Sequence, residues 1–117
     1  MKKYTDFAKQ FENYYTNQKF DERYDVYQAL SYIMSLPSKR IRPVLTMMSC
    51  DLFGGDVKSA LPAAMAVELY HNATLVHDDI MDKADMRRGK PSVHKVYGSN
   101  VAINTGDMMF MVAYRYL

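Results

Sequence analysis

The chain has 117 residues, 49% of them hydrophobic, a formal charge of +2 and one cysteine. That length and apolar content suit one core-forming domain, and the small charge, with no strip of interleaved basic and aromatic residues, argues against nucleic acid as a partner. Cys50, alone and inside an apolar segment, excludes an intramolecular disulfide framework. It reads as a buried small hydrophobe in a reducing compartment, so the cytoplasm is the expected location.

The opening residues do not read as a secretory signal, since Lys2 and Lys3 are followed by Asp6, Lys9 and Glu12. The longest apolar stretch, Ala60 to Val76, is broken by Glu68, His71 and Asn72, which predicts a buried helix and no membrane span. Tyr4, Phe7, Phe11 and Tyr14 recur at spacings of three and four and predict a first helix with an aromatic packing stripe. A second helix is expected from about Arg23 to Leu36, with Val26, Tyr27, Leu30, Ile33 and Met34 as its apolar face and Pro37-Ser38 as its stop.

Between the second and third helices stands Ser38-Lys39-Arg40-Ile41-Arg42-Pro43, with three cations in four positions. On charge alone this is a solvated basic turn. With Lys39 and Arg42 at or just before a helix N-terminus, however, backbone N–H groups and cations would point at one anion. Pro43 suits the first turn of a helix over Val44 to Phe53, Gly54-Gly55 ends it, and Asp56 can cap the next.

The longest helix is expected over Val57 to Lys83. At about 100° per residue, Val67, His71, Thr74, Leu75, Asp78 and Asp82 share a stripe that turns from apolar to acidic. Asp78, Asp79 and Asp82 repel one another and face the negative end of the helix dipole, so a cation belongs there. Asp78 and Asp82, one turn apart, are spaced to share divalent metal ions. His71 is either a satisfied core histidine or part of the same site, and Glu68 and Asn72 read as internal hydrogen-bond partners.

Asp85 to Pro91 reads as a loop. Its Arg87 and Arg88 either neutralise the aspartates directly or join them in holding one diphosphate, with metal on the acidic side and bidentate arginine on the other. A short helix from Val93 to Tyr97 closes at Gly98, and a last helix, capped by Ser99 or Asn100, contains Ile103 and continues from Asp107. Asp107 is expected to be a local cap or an ion-pair partner. The apolar helical pattern of Met111 to Leu117 has no C-cap, which makes a truncated chain the expectation.

In order, Lys39-Arg40-Ile41-Arg42-Pro43, His71, Asp78-Asp79-Ile80-Met81-Asp82, Arg87-Arg88-Gly89-Lys90-Pro91 and Gly106-Asp107 closely resemble the motifs of the trans-isoprenyl diphosphate synthases, the polyprenyl synthetase family. The resemblance runs from about Tyr24 to Leu117. It implies an all-α fold, the isoprenoid-synthase helical bundle, with residues 1–117 forming the N-terminal part of one such domain. It also implies a prenyltransferase that condenses isopentenyl diphosphate with an allylic diphosphate, and a homodimer.

Carried over by that resemblance, Asp78 and Asp82 would bind Mg²⁺ bridging to the allylic diphosphate, with Asp79 in support and Arg87 on the same diphosphate. Lys39, Arg42, His71 and Arg88 would hold isopentenyl diphosphate. Small residues at Ala73 and Thr74, five and four positions before the first aspartate, imply a product longer than farnesyl. Two departures stand out: Pro37 and Ser38 replace the family's glycines before the lysine, and the second aspartate-rich motif is absent. These residues alone are therefore expected to give no turnover. The rival readings are a class-I terpene cyclase, which would not need Lys39, Arg42 and Arg88, a non-catalytic subunit pairing with a complete synthase, and a plain helical interaction module.

Overall fold

The computed structural model describes residues 3–117. Its centre is α4 (Val57–Met81), which starts where the Asp56 carboxylate accepts the Lys58 backbone N–H at 3.1 Å. Alanine, leucine and methionine carry α4 through 25 residues, with Pro62 confined to the second turn. Its buried side is broad, including Leu61, Met65, Leu69, Ala73 and Val76, because α3 (Ile41–Leu52) and α6 (Ser99–Arg115) both pack on it. The stripe of Val67, His71, Thr74, Leu75, Asp78 and Asp82 is the side left half-buried or exposed. α4 ends at Met81, so Asp82 is its C-cap and not an interior residue as expected.

Around this axis lie α1 (Tyr4–Thr16), α2 (Asp25–Ser35) and α5 (Val93–Tyr97). Phe7 and Phe11 of α1 are buried as expected, but the stripe closes on Tyr15. Tyr14 is only half-buried, and Tyr4 is exposed with its hydroxyl donating to the Lys39 carbonyl. In α2, Ala29, Leu30, Ile33 and Met34 are buried, while Val26 and Tyr27 stay half-buried. α2 stops because Leu36 precedes Pro37 and takes an extended ψ of 151°.

α3 begins three residues before the expected Val44, with Pro43 in its first turn, where a missing N–H costs nothing. Cys50 is half-buried, not buried, with Sγ 3.4 Å from the Asp56 carbonyl and against Gly55. α6 runs unbroken through Gly106, so Ser99 and Asn100 are inside it and neither caps it; Gly98, at φ 88°, makes the corner from α5.

The segment expected to be a loop contains β1 (Met86–Arg87) paired antiparallel with β2 (Lys90–Pro91). Arg88 and Gly89 form the turn, both with positive φ, the backbone that favours a tight hairpin. This small hairpin sits on an otherwise helical bundle, and the all-α class stands. No helix among the described residues is long and apolar enough to cross a membrane.

Candidate active site

The turn from α2 to α3 carries the first half of the site. Arg40, one of three cations that looked alike in sequence, turns inward and is 4% exposed. Its guanidinium donates to Glu12 at 2.6 Å and to Glu68 at 2.8 Å, also reaches the Met34 carbonyl, and lies over the Phe11 and Tyr15 rings. Burial works against its charge, but the two carboxylates outweigh it and hold Arg40 above the ordinary arginine value. This anchor keeps the turn against the core and leaves its neighbours Lys39 and Arg42 exposed.

A cavity of about 630 Å³ opens beside that turn. Lys39 lines it from the turn before α3 and Arg42 from the first turn of α3, His71 and Glu68 from α4, and Arg88 from the tip of the hairpin. Four residues separated by up to 49 positions, all expected from sequence to hold one anion, thus meet around one space. The cationic surroundings register in His71. Its pKa is lowered from the usual 6.5, first by burial and next by the charge of Arg42, with Arg88 and Arg87 adding to it and Glu68 opposing. Arg40 and Arg88 both adopt left-handed backbone, φ 52° and 53°, at about 1 kcal/mol each.

The second half of the site is the end of α4. Asp79 faces inward, 3% exposed, and receives Arg87 Nη2 at 2.6 Å and Nε at 3.1 Å, a two-bond fork. That pairing chiefly raises the Arg87 pKa, with Asp78 and Asp82 contributing. Direct neutralisation, one of the two accounts of the paired arginines, is therefore realised for Arg87 and Asp79. Asp78 and Asp82 are exposed and have no ion pair among the described residues. The Asp82 N–H still closes the last turn onto the Asp78 carbonyl at 2.8 Å.

Among the described residues, no three His, Cys, Asp or Glu side chains gather closely enough to hold a metal ion by themselves. Two free carboxylates one turn apart fit Mg²⁺ nonetheless, because that ion keeps most of its water and takes one or two carboxylates plus phosphate oxygens. Of the two residues before this end, Ala73 is fully buried in the core, whereas Thr74 faces a smaller cleft shared with Arg42, Val67, Tyr70 and His71.

Three features escaped the sequence reading in part. The inward turn of Arg40 had no signal in a run of like charges. Glu68 and Asn72, correctly read as internal partners, also support the cavity wall. His77, adjacent to the aspartates, points at α6, with Nε2 3.0 Å from the Ile103 carbonyl and 3.5 Å from Asp107. A close approach at Gly106 permits this, since a Cβ there would fall 2.3 Å from His77 Nε2.

The fold is thus an all-α bundle that sets an acidic helix end beside a basic cavity. The family model for polyprenyl synthetases matches residues 24–117, and the chain belongs to that family. It is 51% identical over 89 residues to the short chain isoprenyl diphosphate synthase of Methanocaldococcus jannaschii, covering 76% of this chain and 27% of that protein. It is 44% identical over 110 residues to the small subunit of the heterodimeric geranylgeranyl pyrophosphate synthase of Arabidopsis thaliana, covering 86% of this chain and 34% of the relative. A crystal structure of a geranylgeranyl pyrophosphate synthase superposes with a TM-score of 0.94 at 44% identity, over 99% of this chain and 36% of the other. The chain thus spans about a third or less of the curated relatives it matches.

Proposed function

We propose that this chain carries two diphosphate sites of a trans-prenyltransferase that joins isopentenyl diphosphate to an allylic diphosphate. The observation that carries this reading is the single cavity shared by Lys39, Arg42, His71 and Arg88, next to a helix end that leaves Asp78 and Asp82 free. In this reading the cavity binds isopentenyl diphosphate without metal: Lys39 as a point charge, Arg42 and Arg88 through guanidinium forks, and His71 as a hydrogen-bond donor. Asp78 and Asp82 hold Mg²⁺, Asp79 fixes Arg87 at their side, and Arg87 contacts the allylic diphosphate.

When bound, Mg²⁺ would supply Lewis-acid neutralisation of diphosphate oxygens. In the reaction the allylic carbon–oxygen bond breaks and the diphosphate leaves with the electron pair. The isopentenyl double bond attacks the allylic cation, and a proton is lost. Arg87 stabilises the charge that develops on the leaving group, and the basic cavity holds the second substrate at a fixed approach. On its own the chain is proposed to bind and not to turn over, since Asp78 and Asp82 form one side of a metal cage. Action in the cytoplasm accords with a lone, unpaired Cys50.

A product longer than farnesyl is part of the proposal, because neither Ala73 nor Thr74 is bulky. Product chromatography on an active assembly containing this chain tests it, comparing Ala73→Phe with Thr74→Phe. Unchanged length in both removes these positions as the floor. Homodimerisation through α6, the helix after Gly98, is proposed from the exposed Ile103, Met111 and Tyr114; sedimentation at one-chain mass rejects it. The likeness to a heterodimer small subunit favours one alternative, a non-catalytic partner of a complete synthase.

Titration calorimetry with Mg²⁺ and inorganic pyrophosphate separates the two readings. A live acidic site shows Mg²⁺-dependent binding that Asp78→Ala removes, whereas a non-catalytic partner shows no effect of that substitution.

A further inference from the structure

Arg40, Arg42 and Arg88 line the basic cavity, and Arg87 stands next to Arg88 on the hairpin; three of these four arginines are held by side chains, in different ways. Arg40 donates to the carboxylates of Glu12 and Glu68, and Arg87 to that of Asp79. Those two charges are answered inside the protein. Arg88 is held by a neutral acceptor: its Nη1 donates to Oδ1 of Asn72 at 3.1 Å. Among the described residues no carboxylate lies within ion-pair distance of it.

Asn72 is fully buried in α4, and its other end is fixed as well. Its Nδ2 donates to the Glu68 carbonyl at 2.8 Å, one turn back. Because only the amide nitrogen can donate to that carbonyl, the amide oxygen must face Arg88. Arg88 needs such a hold. It stands at the tip of a hairpin whose strands are two residues long, in left-handed backbone that a side chain adopts at a cost.

We propose that Asn72 is a positioning residue, which directs the Arg88 guanidinium into the basic cavity and, being neutral, leaves its charge to the anion bound there. A carboxylate at this position would grip Arg88 more firmly but cancel its charge. An apolar side chain would release the hairpin tip and leave a guanidinium N–H without an acceptor. The inference rests on the reading of the cavity as a diphosphate site.

The test is calorimetric titration of inorganic pyrophosphate without Mg²⁺ into the wild-type chain, Asn72→Leu, Arg88→Ala and the double variant, with circular dichroism to confirm helix content. Loss of a charged hydrogen bond predicts about tenfold weaker binding in Asn72→Leu. Arg88→Ala should weaken binding at least as much, and the double variant no further than Arg88→Ala alone, since Asn72 acts through Arg88. Asn72→Asp, equal in shape, should also bind more weakly. If Asn72→Leu does not fold, Asn72→Ala, which adds no volume, carries the same comparison.

Multiplying losses in the double variant, or unchanged affinity in the Asn72 variants while Arg88→Ala is impaired, overturns the positioning role alone. Unchanged affinity in Arg88→Ala, or no saturable binding by the wild-type chain, overturns the reading of the cavity and the positioning role with it.

Discussion

At the scale of single residues, Arg40 separates two kinds of carboxylate. Glu68 is 2% exposed and Glu12 45% exposed, yet both bond the same guanidinium. Removing one partner of a buried pair leaves a poorly compensated charge, so Glu68→Gln should destabilise by about 2–3 kcal/mol, below the full cost of a broken pair because Glu12 remains. Glu12→Gln should cost about 1 kcal/mol or less. Urea unfolding of the two variants checks the order, and equal losses would contradict it.

His71 offers a second residue-scale check. With its folded pKa below the ordinary 6.5, its contribution to stability is present above that pH and is lost as pH falls through the folded value. Arg42 is the largest charge acting on it, so Arg42→Ala should move the His71 NMR titration upward, and bound pyrophosphate should do the same in the wild type. No movement in either case would show that the cationic field at this position is screened. Residue identities made these cations and carboxylates legible in sequence. Which of Lys39, Arg40 and Arg42 turns inward was not legible, because charge pattern is blind to the partners that Glu12 and Glu68 supply from other helices.

Among the elements, α4 and α6 are joined at the site by the His77 ring lying on Gly106. Ala at 106 would gain about 1 kcal/mol of helix propensity. It would also drive the imidazole off the Ile103 carbonyl and overpack the seam, at about 1–3 kcal/mol plus a lost hydrogen bond of about 1 kcal/mol. The expected net loss is about 1–3 kcal/mol, seen as a lower thermal midpoint; a stabilised variant would mean that the ring moves away freely. The helices themselves were readable from apolar periodicity, with ends set by Pro37, Gly54-Gly55, Asp56 and Gly98. What periodicity missed arises from contacts made only in the assembled fold. The first stripe closes on Tyr15 instead of Tyr14, and Arg88 enters left-handed backbone in a hairpin whose turn is anchored through Asn72.

Across the whole molecule, one face of α4 links two chemically different clusters, a basic cavity and an acidic helix end. Each was legible as a charge cluster, and their separation follows from geometry: Arg87 bonds to Asp79, while Arg88, the next residue, lines the cavity on the other side of the hairpin turn. The central claim is that the cavity takes its diphosphate by cationic side chains alone. It is tested most directly by titrating isopentenyl diphosphate into the chain with and without Mg²⁺, in the wild type, Arg42→Ala and Asp78→Asn. The account predicts saturable binding without Mg²⁺ that Arg42→Ala weakens about tenfold and Asp78→Asn leaves unchanged. Binding that requires Mg²⁺ and disappears with Asp78→Asn would contradict it.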